Sequence, residues 1–437
     1  MLLEFKVKNY LSFKEEAEFS MIGADLKHLT QNVHQKDAGK VLKSAVIYGA
    51  NASGKSNLLR AITFYVSFIK FSWKSMDRED KISRIPFKLD KENLSNPTEM
   101  SCTFLIGDDV YQHSIVFDEF KVYEEVLEFV SDDALIYKRN GREIVEYNQK
   151  FISKKVKELL QISLRENSVA LSAWNAIGEN KDDLAKKIMD YFNKYLSINI
   201  RGDFFYSKQR RKNAKEYSTN LIRRKEEEND TVFLEKLKAI LRIADLGIED
   251  ITTEKELFEY DKDLYVEDVK VKTIHKVSNF NKDVLYETFY ADDFESNGTL
   301  ALLCIAPILI DALDRGLIVL YDELDSTLHP LLVKMIITFF NDKEINASTQ
   351  LITTVHDISL IDNYANLFRR DQIWFCEKLN NMGSKIYSLY DFDDSSIRND
   401  ENYAKNYIRG KYKAVPLIRC IDDFKSFVLN TQKEKQK

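Results

Sequence analysis

Gly49-Ala50-Asn51-Ala52-Ser53-Gly54-Lys55-Ser56 matches the G-x-x-x-x-G-K-[ST] phosphate loop at every fixed position, directly after Ala45-Val46-Ile47-Tyr48, an apolar run that reads as a buried strand. Two glycines let the backbone wrap an anion with its N–H groups, Lys55 can reach the β- and γ-phosphates, and Ser56 can hold Mg²⁺ at a helix N-terminus. Leu58, Leu59 and Ile62 open the apolar face of that helix. A nucleoside triphosphate is the expected ligand.

The surrounding chain suits such a site. With 437 residues, 44% hydrophobic and 5 prolines, it can bury a large core in one big or two medium domains. Its net charge of −6, from 64 basic and 70 acidic residues, demands no nucleic-acid or membrane partner, so any basic surface is local. Cys102, Cys304, Cys376 and Cys420 lie far apart without a C-x-x-C pair, which argues against a zinc site or a disulfide framework and for a cytoplasmic location. Met1 to Val7 alternates like a strand and lacks a signal-peptide core, and the longest apolar run, Leu300 to Ile310, is too short to span a bilayer.

Outward from the loop, Glu4 to Val7, Ser44 to Tyr48, Met100 to Ile106 and Tyr111 to Phe117 read as strands, with a further strand pair in Asp118 to Phe129. Near Gln149 the apolar spacing turns helical, through Val156 and Leu160, then Leu184, Ile188, Tyr191 and Tyr195. From about Asp263 strands return. The expected architecture is an α/β head of mixed sheet and helices, residues 1–148 and 263–437, interrupted by a helical insertion over 149–262. Within the insertion, Lys208 to Lys215 and Arg223 to Lys225 form the densest basic cluster, beside Phe204, Phe205 and Tyr206 and followed by Glu226 to Glu228. A solvated, ion-paired helix accounts for it, and so does a nucleic-acid contact.

The second half narrows the class. Ile318-Val319-Leu320-Tyr321-Asp322-Glu323 is a buried strand ending in two carboxylates, suited to presenting Asp322 to Mg²⁺ and Glu323 to an attacking water. Upstream, Ser296-Asn297-Gly298 opens the apolar helix Leu300 to Leu313, where exposed N–H groups and the helix dipole can take a second anion. Downstream, Thr353-Thr354-Val355-His356-Asp357 ends a strand in a histidine, at the edge where α/β sheets gather ligands.

This order of phosphate loop, Ser-x-Gly helix, Asp-Glu strand and strand-terminal histidine resembles the ATP-binding-cassette ATPases, in the soluble branch with RecF and the SMC proteins. Phe5 to Phe13 looks like that branch's first strand. Tyr48 to Ser56, Glu295 to Thr299, Asp322 to Asp325 with Leu328-His329-Pro330, Thr353 to Asp357, Ile85-Pro86-Phe87 and Tyr407 to Pro416 are similar to AAA-type prokaryotic ATPases related to the overcoming-lysogenization-defect proteins. Among these are the RloA-type ATPase subunits of two-gene phage-defence systems, paired with a small nuclease-like partner. The resemblance leaves roughly Gln149 to Lys262 unmatched.

The resemblance implies an ATP-hydrolysing homodimer, with higher oligomers allowed, sandwiching two ATPs with Mg²⁺ and working with a protein effector encoded next door. Gly49, Ala50, Asn51, Ala52, Ser53, Gly54, Lys55, Ser56 and Asn57 would bind ATP on one chain, with Ser296 and Gly298 capping the γ-phosphate from the other. Ser56 and Asp322 would hold Mg²⁺, Glu323 would activate water, His356 and Lys55 would contact the γ-phosphate, and Asp325 would lie at the dimer seam. Where the family places a metal-coordinating Gln, this chain offers Gln112 or the Glu124-Glu125 pair, and Asn297 replaces the second signature glycine. A DNA-repair ATPase binding DNA through Lys208 to Lys225 is the alternative; a transporter motor fits poorly without a membrane segment.

Overall fold

Parallel and antiparallel pairing divide the molecule into layers. The computed structural model describes residues 1–177, 183–198, 214–244, 246–261, 264–278, 284–362, 365–392 and 401–415. Along the chain run β1 (Leu2–Lys8), β2 (Ala17–Ser20), β3 (Val33–Lys36), β4 (Gly39–Leu42) and β5 (Ser44–Gly49), then α1 (Lys55–Ser75) and α2 (Lys91–Ser95). Strands β6 (Thr98–Ile106), β7 (Asp109–Phe117), β8 (Val122–Phe129), β9 (Ala134–Asn140) and β10 (Glu143–Tyr147) precede α3 (Lys154–Ser163), α4 (Ala170–Ile177), α5 (Asp183–Phe192) and β11 (Tyr195–Ile198). Helices α6 (Ala214–Glu227) and α7 (Thr231–Ile243) lead to β12 (Ile248–Asp261), β13 (Leu264–Ser278), β14 (Val284–Tyr290) and α8 (Ala291–Phe294). The last part holds α9 (Asn297–Arg315), β15 (Ile318–Tyr321), α10 (Pro330–Asn341), β16 (Gln350–Thr354), β17 (Ile373–Lys378), β18 (Ser384–Ser388) and α11 (Tyr403–Ile408).

The core sheet has the order β11-β15-β16-β5-β17-β18, parallel except for its last pair. Every residue of β5, β15 and β16 is buried, as expected of parallel strands covered on both faces. Their side chains alternate between two cores: Ala45, Ile47, Ile318, Leu320 and Ile352 face one, while Val46, Tyr48, Val319, Tyr321 and Leu351 face the other. The first core contains α1, which also packs on a seven-stranded antiparallel sheet, β10-β9-β8-β7-β6-β1-β2, through contacts such as Phe64 on Phe117. The second core contains α6, α7, α9 and α10. A three-stranded sheet, β12-β13-β14, leads straight into α8 and α9.

The α/β head with its mixed sheet and helices is thus present. Helix α4 packs against α1, β11 pairs in parallel with β15, and α6 and α7 pack on α9. Several local expectations need correction. Asp118 to Phe129 is one strand, not two, because Asp118 Oδ1 accepts the N–H groups of Phe120 and Lys121 in a turn. Tyr195 begins β11 rather than ending a helix, so strands return there, and the next, β12, begins at Ile248 rather than near Asp263. Strands β9 and β10 are additional. Helix α9 extends beyond Leu300–Ile310 to 19 residues, long and apolar enough by composition to cross a membrane, and it packs in the second core.

Candidate nucleotide site

Strand order creates the site. Because β5 lies between β16 and β17, the loops after β5, β15 and β16 open on the same edge of the sheet. There a cavity of about 600 Å³ is lined by Ala50, Asn51, Ala52, Ser53, Gly54, Lys55, Ser56 and Asn57, together with Glu323 and His356. Residues more than 260 positions apart in the sequence thereby meet, Ser56 Oγ donating to Asp322 Oδ1 at 2.9 Å across a separation of 266 residues.

The loop can take this shape only with glycine at its ends. A Cβ on Gly49 would stand 2.3 Å from the Cys376 carbonyl oxygen, so the glycine lets β17 pass beneath the loop. Gly54, at φ 112°, caps α1, and a Cβ there would meet Ser384 Oγ at 2.2 Å. Ser384 Oγ donates to the Ser53 carbonyl at 2.5 Å, the Cys376 thiol to the same oxygen at 3.2 Å, and Asn57 Nδ2 to Ser12 Oγ at 2.8 Å. Burial pushes the Cys376 thiol up to about 12, which keeps it protonated as a donor. Lys55 folds over the loop, donating to the carbonyls of Gly49 at 2.6 Å and Ala50 at 3.2 Å. Burial lowers the pKa of its ammonium, opposed by Cys376, Asp322 and Glu323.

Thr354 ties the other side together. Its hydroxyl donates to Asp322 Oδ1 at 2.6 Å and accepts the Glu323 N–H at 2.7 Å, holding Glu323 at φ 57°, an unfavourable conformation for a residue with a side chain. Asp322 is buried; Glu323 and His356 are exposed to the cavity. Asp325 Oδ2 accepts the N–H groups of His356 and Asp357, so it shapes the turn that presents the histidine. The second carboxylate oxygen of Asp325 is buried without a hydrogen-bond partner.

Ser296 and Gly298 do not line this cavity. Ser296 caps α9, accepting the Thr299 N–H at 3.2 Å, and it stands exposed, with only its own Oγ, at 3.8 Å, near the place a Cβ on Gly298 would take. The residue before it is clamped: Glu295 Oε1 takes hydrogen bonds from Thr273 Oγ1 and His275 Nε2, both at 2.7 Å, on β13. Gln112, Glu124 and Glu125 also lie elsewhere. Glu124 pairs with Lys138, whereas Glu125 is fully buried and accepts from His113, Tyr137, Arg139 and the Ala170 and Leu171 N–H groups.

Within the basic cluster, Lys215 pairs with Asp292, Arg223 with Glu227, Arg224 with Glu228, and Lys225 with Asp230. Phe204 to Tyr206, Lys208 to Asn213 and Cys420 lie outside the described residues. Sequence reasoning missed Ser12, Thr354, Cys376 and Ser384, since a lone serine, threonine or cysteine in a strand or turn carries no signature.

The fold has solved counterparts of low identity. An SMC head bound to the C-winged helix domain of ScpA is 14% identical, covering 89% of this chain and 97% of that one at a TM-score of 0.41. The SMC head domain from Thermotoga maritima is 12% identical (89% and 98%, TM-score 0.38), and an Smc head with coiled coil and joint from Pyrococcus yayanosii is 12% identical (89% and 96%, TM-score 0.38). No curated protein matches the chain. Residues 44–362, from the strand before the phosphate loop to beyond His356, match the family described as "AAA domain, putative AbiEii toxin, Type IV TA system", and the chain belongs to that family.

Proposed function

We propose that this protein is an ATPase whose site is completed by a second copy of the same chain, acting as a nucleotide-driven dimeric switch. The observation that carries this reading is the division of the site. The phosphate loop, Glu323 and His356 line one cavity, with buried Asp322 hydrogen-bonded to Ser56 beside it, while Ser296 at the start of α9 is exposed and absent from the lining. Such an N-terminus, offered by a partner, suits a γ-phosphate.

In this reading Lys55 and the loop N–H groups bind the triphosphate. The Ser56 hydroxyl and Asp322 carboxylate, 2.9 Å apart, fit Mg²⁺, which takes one or two protein oxygens and completes its shell with phosphates and water. When bound, it would neutralise charge on the β- and γ-phosphates. Glu323 orients and deprotonates the attacking water, and His356 contacts the γ-phosphate. Catalysis is then largely positioning and charge stabilisation, so dimer closure is the regulated step.

We further propose that the switch serves a cytoplasmic anti-phage defence system with a nuclease-like effector. The family description, which names a type IV toxin–antitoxin system, is compatible with a chain that works in a two-component system. The paired state of Lys215, Arg223, Arg224 and Lys225 lends no support to DNA as primary ligand.

The decisive variant is Glu323→Gln. It should bind ATP at wild-type affinity, run as a dimer on size exclusion with ATP and Mg²⁺, and turn over at least about 10²-fold more slowly. A monomer under those conditions would refute the shared site, and undiminished hydrolysis would refute the role of Glu323.

A further inference from the structure

A second cavity, of about 430 Å³, lies at the opposite end of the core sheet from the phosphate loop. Gly316 and Ser348 on its wall immediately precede β15 and β16, whereas Asp322 and His356 follow those same strands. The turn between β6 and β7, Leu105 to Gly107, forms the facing wall, so the cavity sits where the antiparallel and parallel sheets meet.

Its lining is strongly cationic. Lys187, Asp190, Tyr191 and Lys194 fall at steps of three and four, so one stripe of α5 and its extension turns toward the cavity while Ile188 and Phe192 are buried in the first core. Lys186 and, from the end of β3, Lys36 complete the ring. Four lysines thus line a cavity that has a single lining carboxylate, in a chain whose net charge is −6. Lys187 is anchored by Asp109 at 2.8 Å, while among the described residues Lys36, Lys186 and Lys194 have no carboxylate partner.

Lysines near a helix C-terminus ordinarily complement the dipole or cap its last carbonyls. Here those carbonyls already have donors: Met189 O takes the Asn193 N–H, Tyr191 O the Lys194 N–H, and Lys194 O the Ile318 N–H. Like charges converging on a concavity repel one another, and a multiply charged anion relieves that repulsion. Leu105, Ile106 and Ile318 add an apolar wall for an uncharged portion of the same molecule. An open concavity of this size suits a small molecule better than a nucleic-acid strand, which needs a continuous groove.

We propose that this cavity is a binding site for a small phosphorylated ligand of nucleotide size, carrying at least two phosphoryl charges and distinct from the phosphate-loop site. The test is isothermal titration of the full-length Lys55→Ala chain with inorganic tripolyphosphate at low salt. Saturable binding is expected at one site per chain, weakened about tenfold or more when Lys186→Glu and Lys194→Glu are added, as loss of charged hydrogen bonds requires. Circular dichroism confirms that the variants are folded, and the gentler Lys36→Ala with Lys194→Ala should weaken binding in the same direction.

Unchanged affinity in the charge-reversed chain overturns the proposal, as does the absence of saturable binding. A single-stranded oligonucleotide that binds more tightly than tripolyphosphate, with the same lysine dependence, overturns it in favour of a nucleic-acid surface. Because binding is read where Lys55 is removed, failure here leaves the ATPase reading standing, and the reverse also holds.

Discussion

Thr354→Val keeps the shape of a fully buried side chain and deletes both hydrogen bonds that join Asp322 to Glu323. The Glu323 N–H loses the Thr354 hydroxyl as its acceptor, which costs about 1–3 kcal/mol if it stays unsatisfied. Asp322 loses a charge-assisted bond of 2.6 Å but keeps the one from Ser56, so the combined loss of stability should be about 2–4 kcal/mol. The kinetic effect comes from geometry. Glu323 is held at φ 57°, a conformation that costs about 1–3 kcal/mol and persists only while its surroundings enforce it. Released, the backbone relaxes and the carboxylate leaves its position over the cavity, and a displacement of about 1 Å costs on the order of 10²-fold in rate. Steady-state ATPase assays should therefore show kcat reduced about 10- to 100-fold with KM for ATP changed less than about threefold, since the phosphate loop is untouched. Thr354→Ser retains the hydroxyl and should restore most of the rate. Wild-type kcat in Thr354→Val, or a Thr354→Ser variant as slow as the valine, would refute the tether.

The buried Glu125 cluster yields a pH prediction. Burial alone would raise its carboxyl, but the His113 hydrogen bond, the Arg139 charge and the Tyr137 hydroxyl outweigh it and hold the group at about 2, below an ordinary value of about 4.5. The stability it contributes is present above the ordinary value and lost as pH falls through the lower one, so urea midpoints from about pH 5 to about pH 2.5 should fall more steeply for wild type than for Glu125→Gln; parallel profiles would refute this. Arg139→Met, which strands that carboxylate, should destabilise by about 3–5 kcal/mol in the same assay at neutral pH. Glu295→Gln weakens the clamp on the Ser296 helix start, so ATP-dependent self-association measured by sedimentation should weaken about tenfold or more, while ATP binding to the isolated chain stays unchanged; undiminished self-association would show that the clamp does not position Ser296.

What was legible in the sequence is what the chain spells contiguously. Gly49 to Ser56, Asp322-Glu323 and His356 could each be read because a buried parallel strand announces itself as an apolar run and the functional residues follow immediately at its end. Their convergence was harder to read. It depends on β5 lying between β16 and β17, and strand order leaves no periodicity in the sequence. The same gap hid Thr354, Ser12 and Ser384, whose partners lie 32, 45 and 331 residues away. Strand β11 was hidden because the apolar step from Tyr191 to Tyr195 continues a helical pattern, although the backbone turns to pair with β15. Glu125 shows the opposite error, for a family pattern invited a metal-coordinating role near Gln112, yet five donors in a dry core already occupy that carboxylate. A buried side chain so fully engaged cannot also reach a nucleotide, so among the described residues the candidates for a further metal-coordinating group, beyond the proposed Ser56 and Asp322, are those that line the cavity. Among those, Asn51, Ser53, Asn57 and Glu323 carry side-chain oxygens suited to it.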